Sequence, residues 1–152
     1  MKIAAHFSAL VCALGLLTIA PAHAAPKPSP AANKALVVKF YNEFFNAHHI
    51  DAALKYLTPD YKQHNPGVPT GRAAIISFFG PHFKQNPQSH ATITQALADG
   101  DLVALHVHSQ QNPKDRGLAI VDIFRVKNGK IVEHWDVVQP VPEKTANTNT
   151  MF

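Results

Sequence analysis

One stretch constrains this chain more than any other. Residues 122–136 read Asp-Ile-Phe-Arg-Val-Lys-Asn-Gly-Lys-Ile-Val-Glu-His-Trp-Asp: two alternating runs on either side of a Lys-Asn-Gly turn signal. Alternation at period two is a strand pattern, and Asn-Gly between two such runs marks a hairpin. Two registers compete. A two-residue turn at Asn128-Gly129 pairs Lys127 with Lys130 and sets Asp122 opposite Trp135. A three-residue loop over Lys127, Asn128 and Gly129 sets Asp122 opposite His134 and Ile120 opposite Asp136. A slip of one residue exchanges the faces of a strand, so the turn decides the chemistry. Only the three-residue reading gathers Asp122, His134 and Asp136 on one surface, beside Phe124, Val132 and Val138. It is the register expected here.

Around this hairpin the chain divides cleanly. From Asn33, a plausible N-cap, apolar residues fall at Leu36, Val37, Phe40, Tyr41 and Phe44, one helical face. Asp51 can cap a short second helix with Leu54 and Leu57 inward, and Thr58-Pro59 reads as another helical turn. Residues 63–70 hold Pro66, Gly67 and Pro69 and form a loop. Thr70 then opens a third helix carrying Ile75, Phe78 and Phe79, which Gly80-Pro81 should kink or end. Strands follow at residues 90–98, 102–109, 117–126 and 130–139, with Asp99-Gly100 as the first turn. In the second of these, Leu102, Ala104, His106 and His108 share one face and Val103, Leu105 and Val107 the other. Helices first and then an antiparallel meander is an α+β chain. The folded domain is residues 33–142, with a polar, aperiodic tail at 143–152.

The first 24 of the 152 residues do not belong to that domain. Lys2, a run of apolar residues from Phe7 to Ala20, and Ala22-His23-Ala24 follow the order of a secretory signal cleaved after Ala24. The run is too short to span a bilayer comfortably, which takes about 20 residues. A proline-rich leader at 25–32 follows, with Pro26, Pro28 and Pro30. The expected location is periplasmic or secreted, with no membrane attachment once the signal is cut. The only cysteine, Cys12, lies in the signal. Disulfides and thiolate chemistry are therefore excluded from the mature chain. Scattered lysines and a net charge of +4 give no basic face for nucleic acid.

The chemistry-bearing residues are the acids and histidines. An Asp–His group on a half-apolar concave surface can move protons to and from a bound molecule near neutral pH. Asp136, His134 and Asp122 are the candidate catalytic residues. Set against this, Asp122 and His134 could be an ordinary cross-strand pair facing solvent. His106 and His108, two apart on one strand, could share a metal with Asp122 or His134 as a third ligand. No further ligand motif accompanies them, so no metal or cofactor is expected. Ten histidines are present, and His48, His49, His82 and His90 receive no role.

Three segments together give the chain a family likeness: residues 61–71 (Tyr-Lys-Gln-His-Asn-Pro-Gly-Val-Pro-Thr-Gly), residues 101–108 (Asp-Leu-Val-Ala-Leu-His-Val-His), and residues 121–139 with their Gly-Lys-Ile-Val-Glu-His-Trp-Asp core. On these, the chain resembles the SnoaL-like proteins of the NTF2-like superfamily, which include polyketide cyclases. The likeness spans residues 33–142. It implies a cone in which three N-terminal helices pack on a strongly curved antiparallel sheet and enclose a pocket. It also implies a homodimer through the outer sheet face. In the cyclases, an aspartate at the position of Asp136 is the proposed acid/base of an aldol closure. His134 matches a histidine of theirs, and this chain has Asp122 where they have another histidine. The likeness places the His64 loop near the pocket mouth. The expected ligand-binding residues are His64, His106, His108, Phe124 and Phe79. The ligand expected is a small, largely apolar carbonyl compound handled by Asp/His acid–base chemistry. The other readings are a periplasmic binding module without chemistry and a metal-dependent enzyme using His106 and His108.

Overall fold

In the computed structural model, residues 28–152 are described. The signal segment at 1–24 and the first part of the leader lie outside them. Helix α1 spans Pro30–Tyr41. Its N-cap is Ser29, whose hydroxyl accepts from the Ala32 N–H at 3.2 Å, and Pro30 fills the first turn, where a missing N–H does no harm. The helix therefore begins before Asn33. That residue is buried one turn in, and its side-chain amide donates to the Gly100 carbonyl at 3.0 Å, tying α1 to the turn it packs against. A π-helical turn at Asn42–Asn46 continues α1.

Helix α2, Ala52–Tyr56, buries Ala52, Ala53 and Tyr56, while Leu54 is exposed. Of the expected inward pair, Leu54 faces solvent, and Leu57 is buried but lies outside the helix, which stops at Tyr56. Leu57 instead opens strand β1, Leu57–Gln63. The Thr58-Pro59 signal is thus overruled. Pro59 sits on an edge strand, where its missing N–H breaks no ladder. Helix α3 spans Arg72–Gln85 and contains Pro81 without ending there. Its N-cap is Gly71, at φ 96°, rather than Thr70. The Thr70 hydroxyl instead accepts from the Gln63 N–H and donates to the Tyr61 carbonyl, pinning the 64–70 loop to β1.

Strands β2 (His90–Asp99), β3 (Leu102–Gln110), β4 (Leu118–Lys127) and β5 (Lys130–Pro140) form the meander. The sheet order is β1-β5-β4-β3-β2, antiparallel except that β1 lies parallel to β5. The sheet is open at both edges, and the helices cover one face. Val103, Leu105 and Val107 point into that covered face, where they meet Val37, Phe40 and Phe44. No helix among the described residues is long and apolar enough to cross a membrane.

The β4–β5 register matches neither of the two expected ones. Lys127 pairs with Lys130, so the turn is the two-residue one. Asn128 and Gly129 both take positive φ, 50° and 71°, which suits a tight hairpin turn whose twist matches the strands. A bulge then intervenes: Val126 pairs with Ile131 but Arg125 pairs with Glu133. The extra residue, Val132, shifts the register once more and restores the face expected for the acids. Asp122 ends up opposite Asp136, and Phe124 opposite His134.

Candidate active site

Alternation along β4 and β5 turns Asp122, Phe124, His134 and Asp136 toward the helices. There they line a cavity of about 200 Å³, walled by Phe40, Phe44, Phe45, Phe79 and Phe83. Asp122 and His134 are almost fully buried, at 5% and 6% exposure. Burying charge at this depth demands partners, and both residues have them. The Tyr41 hydroxyl donates to Asp122 Oδ2 at 3.0 Å, and His134 Nε2 lies 2.9 Å from Asp122 Oδ1. His134 Nδ1 lies 2.8 Å from Gln63 Oε1.

The direction of these bonds can be deduced. Gln63 Oε1 also accepts from the Asn65 backbone N–H at 3.0 Å, and a backbone N–H can only donate. The atom facing His134 Nδ1 is therefore an oxygen, and Nδ1 carries a proton. With Tyr41 donating to one carboxylate oxygen, a second proton lies between His134 Nε2 and the other. The same logic fixes Asn65. Its Oδ1 accepts from the Gly67 N–H at 2.8 Å, so its NH₂ group is what reaches Asp136 Oδ1 and Oδ2, at 2.9 and 2.7 Å.

Two phenols complete the polar wall. Burial, reinforced by the Asp122 charge, pushes the Tyr41 hydroxyl well above its usual range. Burial does the same to Tyr61, helped by Asp122 and Asp136. Both remain neutral donors at any physiological pH. Tyr41 spends its proton on Asp122. Tyr61 receives only a long contact of 3.5 Å from the Gln63 side-chain NH₂, and its own proton has no acceptor among the described residues. One cavity thus offers a half-buried carboxylate and an uncommitted hydroxyl above an apolar floor.

The profile of the SnoaL-like domain matches residues 37–134, nearly two thirds of the chain. The chain belongs to the SnoaL-like domain family. Solved structures of the same fold include a SnoaL-like protein of unknown function from Burkholderia thailandensis E264 (18% identity, TM-score 0.63, 74% of this chain and 99% of that one). A candidate polyketide cyclase from Bacillus cereus ATCC 10987 aligns at 23% identity and TM-score 0.61, over 71% and 75% of the two chains. A candidate ketosteroid isomerase from Kribbella flavida DSM 17836 aligns at 23% and 0.60, over 76% and 83%. At such identities these structures establish the fold alone, and it is the α+β, NTF2-like architecture expected. No curated protein matches the chain.

Within this SnoaL-like domain, the eight residues singled out from sequence separate into two groups. Asp122, His134, Asp136, Phe124 and Phe79 line the cavity. His64, His106 and His108 do not. His64 lies across β5 from the site: its ring stacks on Trp135 at 4.8 Å and its Nε2 meets Glu133 Oε1 at 3.0 Å. His106 and His108 sit on the uncovered sheet face, because the apolar set Val103, Leu105 and Val107 takes the covered one. There they stack on Phe152 at 5.6 and 4.2 Å, so the last residue of the tail returns to the sheet. A metal site joining them to Asp122 or His134 would have to bridge the two sides of the sheet.

A different trio has metal-ligand proximity. Ligand atoms of Asp122, His134 and Asp136 lie within 4.8 Å of one another. A divalent cation could use all three only by displacing the proton that joins His134 Nε2 to Asp122. Sequence reasoning passed over Tyr41, Tyr61, Gln63 and Asn65. Gln63 and Asn65 flank His64 in the 61–71 segment, so the segment was informative while its histidine was not. Helical spacing puts Tyr41 in the core, which is where its ring lies; its hydroxyl is the part that reaches Asp122.

Proposed function

We propose that this SnoaL-like protein is an exported acid–base catalyst that removes a proton next to the carbonyl of a small, largely apolar compound, in isomerisation or aldol chemistry. The observation that carries the reading is the pair formed by the Asp136 carboxylate and the uncommitted Tyr61 hydroxyl on one apolar cavity. Asp136 takes the α-proton. Tyr61 donates a hydrogen bond to the carbonyl oxygen as enolate charge develops, the moment at which a preorganised donor counts most. Asn65 orients the Asp136 carboxylate, and Gln63 and Asp122 hold His134 in place close to it. The cavity bounds the substrate. About 150 Å³ suffices for benzene, so 200 Å³ suits one ring or a short branched chain. The names of two neighbours of this fold, a candidate polyketide cyclase and a candidate ketosteroid isomerase, agree in reaction class.

The signal-like segment at residues 1–24 supports export, and the exposed Val121 and Val137 on the outer sheet face support a homodimer there. A second reading, a binding module without chemistry, is favoured by the way Asn65 already occupies both Asp136 oxygens. Conversion of cyclohex-3-enone to its conjugated isomer, followed by ultraviolet absorbance, separates the two. The catalytic reading expects turnover by the wild type and its loss in Asp136→Asn. Saturable binding of the ketone with no conversion supports the binding module instead.

A further inference from the structure

The cavity has a second polar end, remote from the acids. Its lining includes His82, Ser89, His90 and Ser109. Four of its residues, His82, Ser89, Ser109 and Leu118, also border a groove of about 310 Å³ that continues toward Gln110 and Asp115. Strand register places this end. Leu105 pairs with Asp122 and Ser109 with Leu118, four residues further along both strands. At roughly 3.3 Å per residue the two ends lie about 13 Å apart. Between them runs the aromatic wall.

Two of the distal polar groups are unspent. Ser89 is taken by His48, whose Nε2 lies 3.0 Å from its hydroxyl. The Ser109 hydroxyl and the His82 ring have no hydrogen-bond partner among the described residues, although both residues line the cavity and are half-buried, whereas His90 is exposed. At the proximal end, by contrast, Tyr41, Asp122, His134 and Asp136 are all bonded to protein. A ligand that reaches this end can bond to them without displacing a protein partner.

We propose that the ligand is elongated, with its carbonyl end at Asp136 and Tyr61 and an uncharged hydrogen-bonding tail, such as a hydroxyl, ester or amide, held by His82 and Ser109 at the distal end. The carbonyl end of this assignment rests on the acid–base reading above; the tail end does not. Charge argues for a neutral tail. Burial, and secondarily His48, holds the His82 ring below the ordinary histidine range, so near neutral pH it offers one donor and one acceptor rather than a cation. Asp115 on the groove rim repels an anion. A cation would find no unpaired carboxylate at the distal end, because both Asp115 oxygens already accept from the Gln111 and Gly117 N–H groups.

The test uses three cyclohexanones substituted opposite the carbonyl with chains of similar length: hydroxypropyl, butyl and carboxyethyl. Dissociation constants for the purified protein are measured by calorimetry at neutral pH. The hydroxypropyl ketone is expected to bind about five- to tenfold tighter than the butyl ketone, the worth of one net hydrogen bond, and tighter than the carboxyethyl ketone. In His82→Phe, which keeps a ring against Phe79 and Phe83, and in Ser109→Ala, the hydroxypropyl-to-butyl ratio is expected to fall toward one. Equal affinities in the wild type, tighter binding of the carboxyethyl compound, or a ratio that survives both substitutions overturns the assignment. A retained hydroxypropyl preference with no conversion of cyclohex-3-enone overturns the acid–base reading and leaves the distal site standing.

Discussion

The two faces of the β4–β5 hairpin carry the same residue types and do different things with them. On the covered face, Asp122 and His134 are buried, and each bond they make reaches another element: Tyr41 from α1, Gln63 from β1. On the uncovered face, Glu133 bridges His64 and Arg125, Arg125 continues to Asp101, and Trp135 lies under both the His64 ring and the Arg125 guanidinium. The outer network is half-exposed, and water screens it. The inner one is dry, so each bond is worth more and each unmet partner costs more. Acid–histidine spacing along a strand says little by itself; the face it falls on decides whether the pair is a brace or a site.

That contrast can be broken or sharpened by substitution. The largest effect expected is kinetic and confined to the inner face. Tyr61→Phe removes the uncommitted donor while keeping the buried ring, and turnover of cyclohex-3-enone should fall about 10²- to 10³-fold, as when one oxyanion donor is lost. A loss under threefold would remove Tyr61 from the mechanism. Next comes stability. Asp122→Ala strands His134 and Tyr41 in the interior, and chemical denaturation should show a loss of about 3–5 kcal/mol. On the outer face Glu133→Gln breaks two ion pairs yet should cost at most about 1 kcal/mol in the same assay. Comparable losses from the two substitutions would erase the distinction between the faces.

Much of this was legible beforehand. The meander and the grouping of Asp122, His134 and Asp136 on one face follow from alternation, which a pair of compensating shifts leaves intact: a shorter turn at Asn128-Gly129 and a bulge at Val132. Which face was covered could be read from Val103, Leu105 and Val107, an unbroken apolar set that must lie inside. His106 and His108 were therefore outside by the same alternation that drew notice to them. Other features were not legible. Strand β1 is parallel to β5 and joins residues about 70 positions apart, and no local pattern announces that pairing. Tyr41, Gln63 and Asn65 acquire their roles only through such long-range contacts.

Two smaller effects refine the comparison. Asn65→Ala frees the Asp136 carboxylate without removing it, and kcat should fall about tenfold while KM changes less. An unchanged kcat would make Asn65 a loop anchor only. The outer face should also respond to acid. The His64 bond first, and the Arg125 bond after it, hold the Glu133 carboxyl below its ordinary value near 4.5. A lowered carboxyl contributes stability above its unfolded value and loses it as pH falls through the folded one. Thermal unfolding below about pH 4.5 should therefore decline slightly less steeply in Glu133→Gln than in the wild type. Identical slopes would mean that water has already screened the network.

The central claim is that Asp136 takes a proton from carbon. Proton NMR of cyclohex-3-enone in D₂O reads that event directly, as loss of signal at the carbon between the carbonyl and the double bond. The account predicts enzyme-dependent deuterium uptake there, falling at least 100-fold in Asp136→Asn while the folded spectrum is retained. Uptake at the wild-type rate in that variant would contradict it.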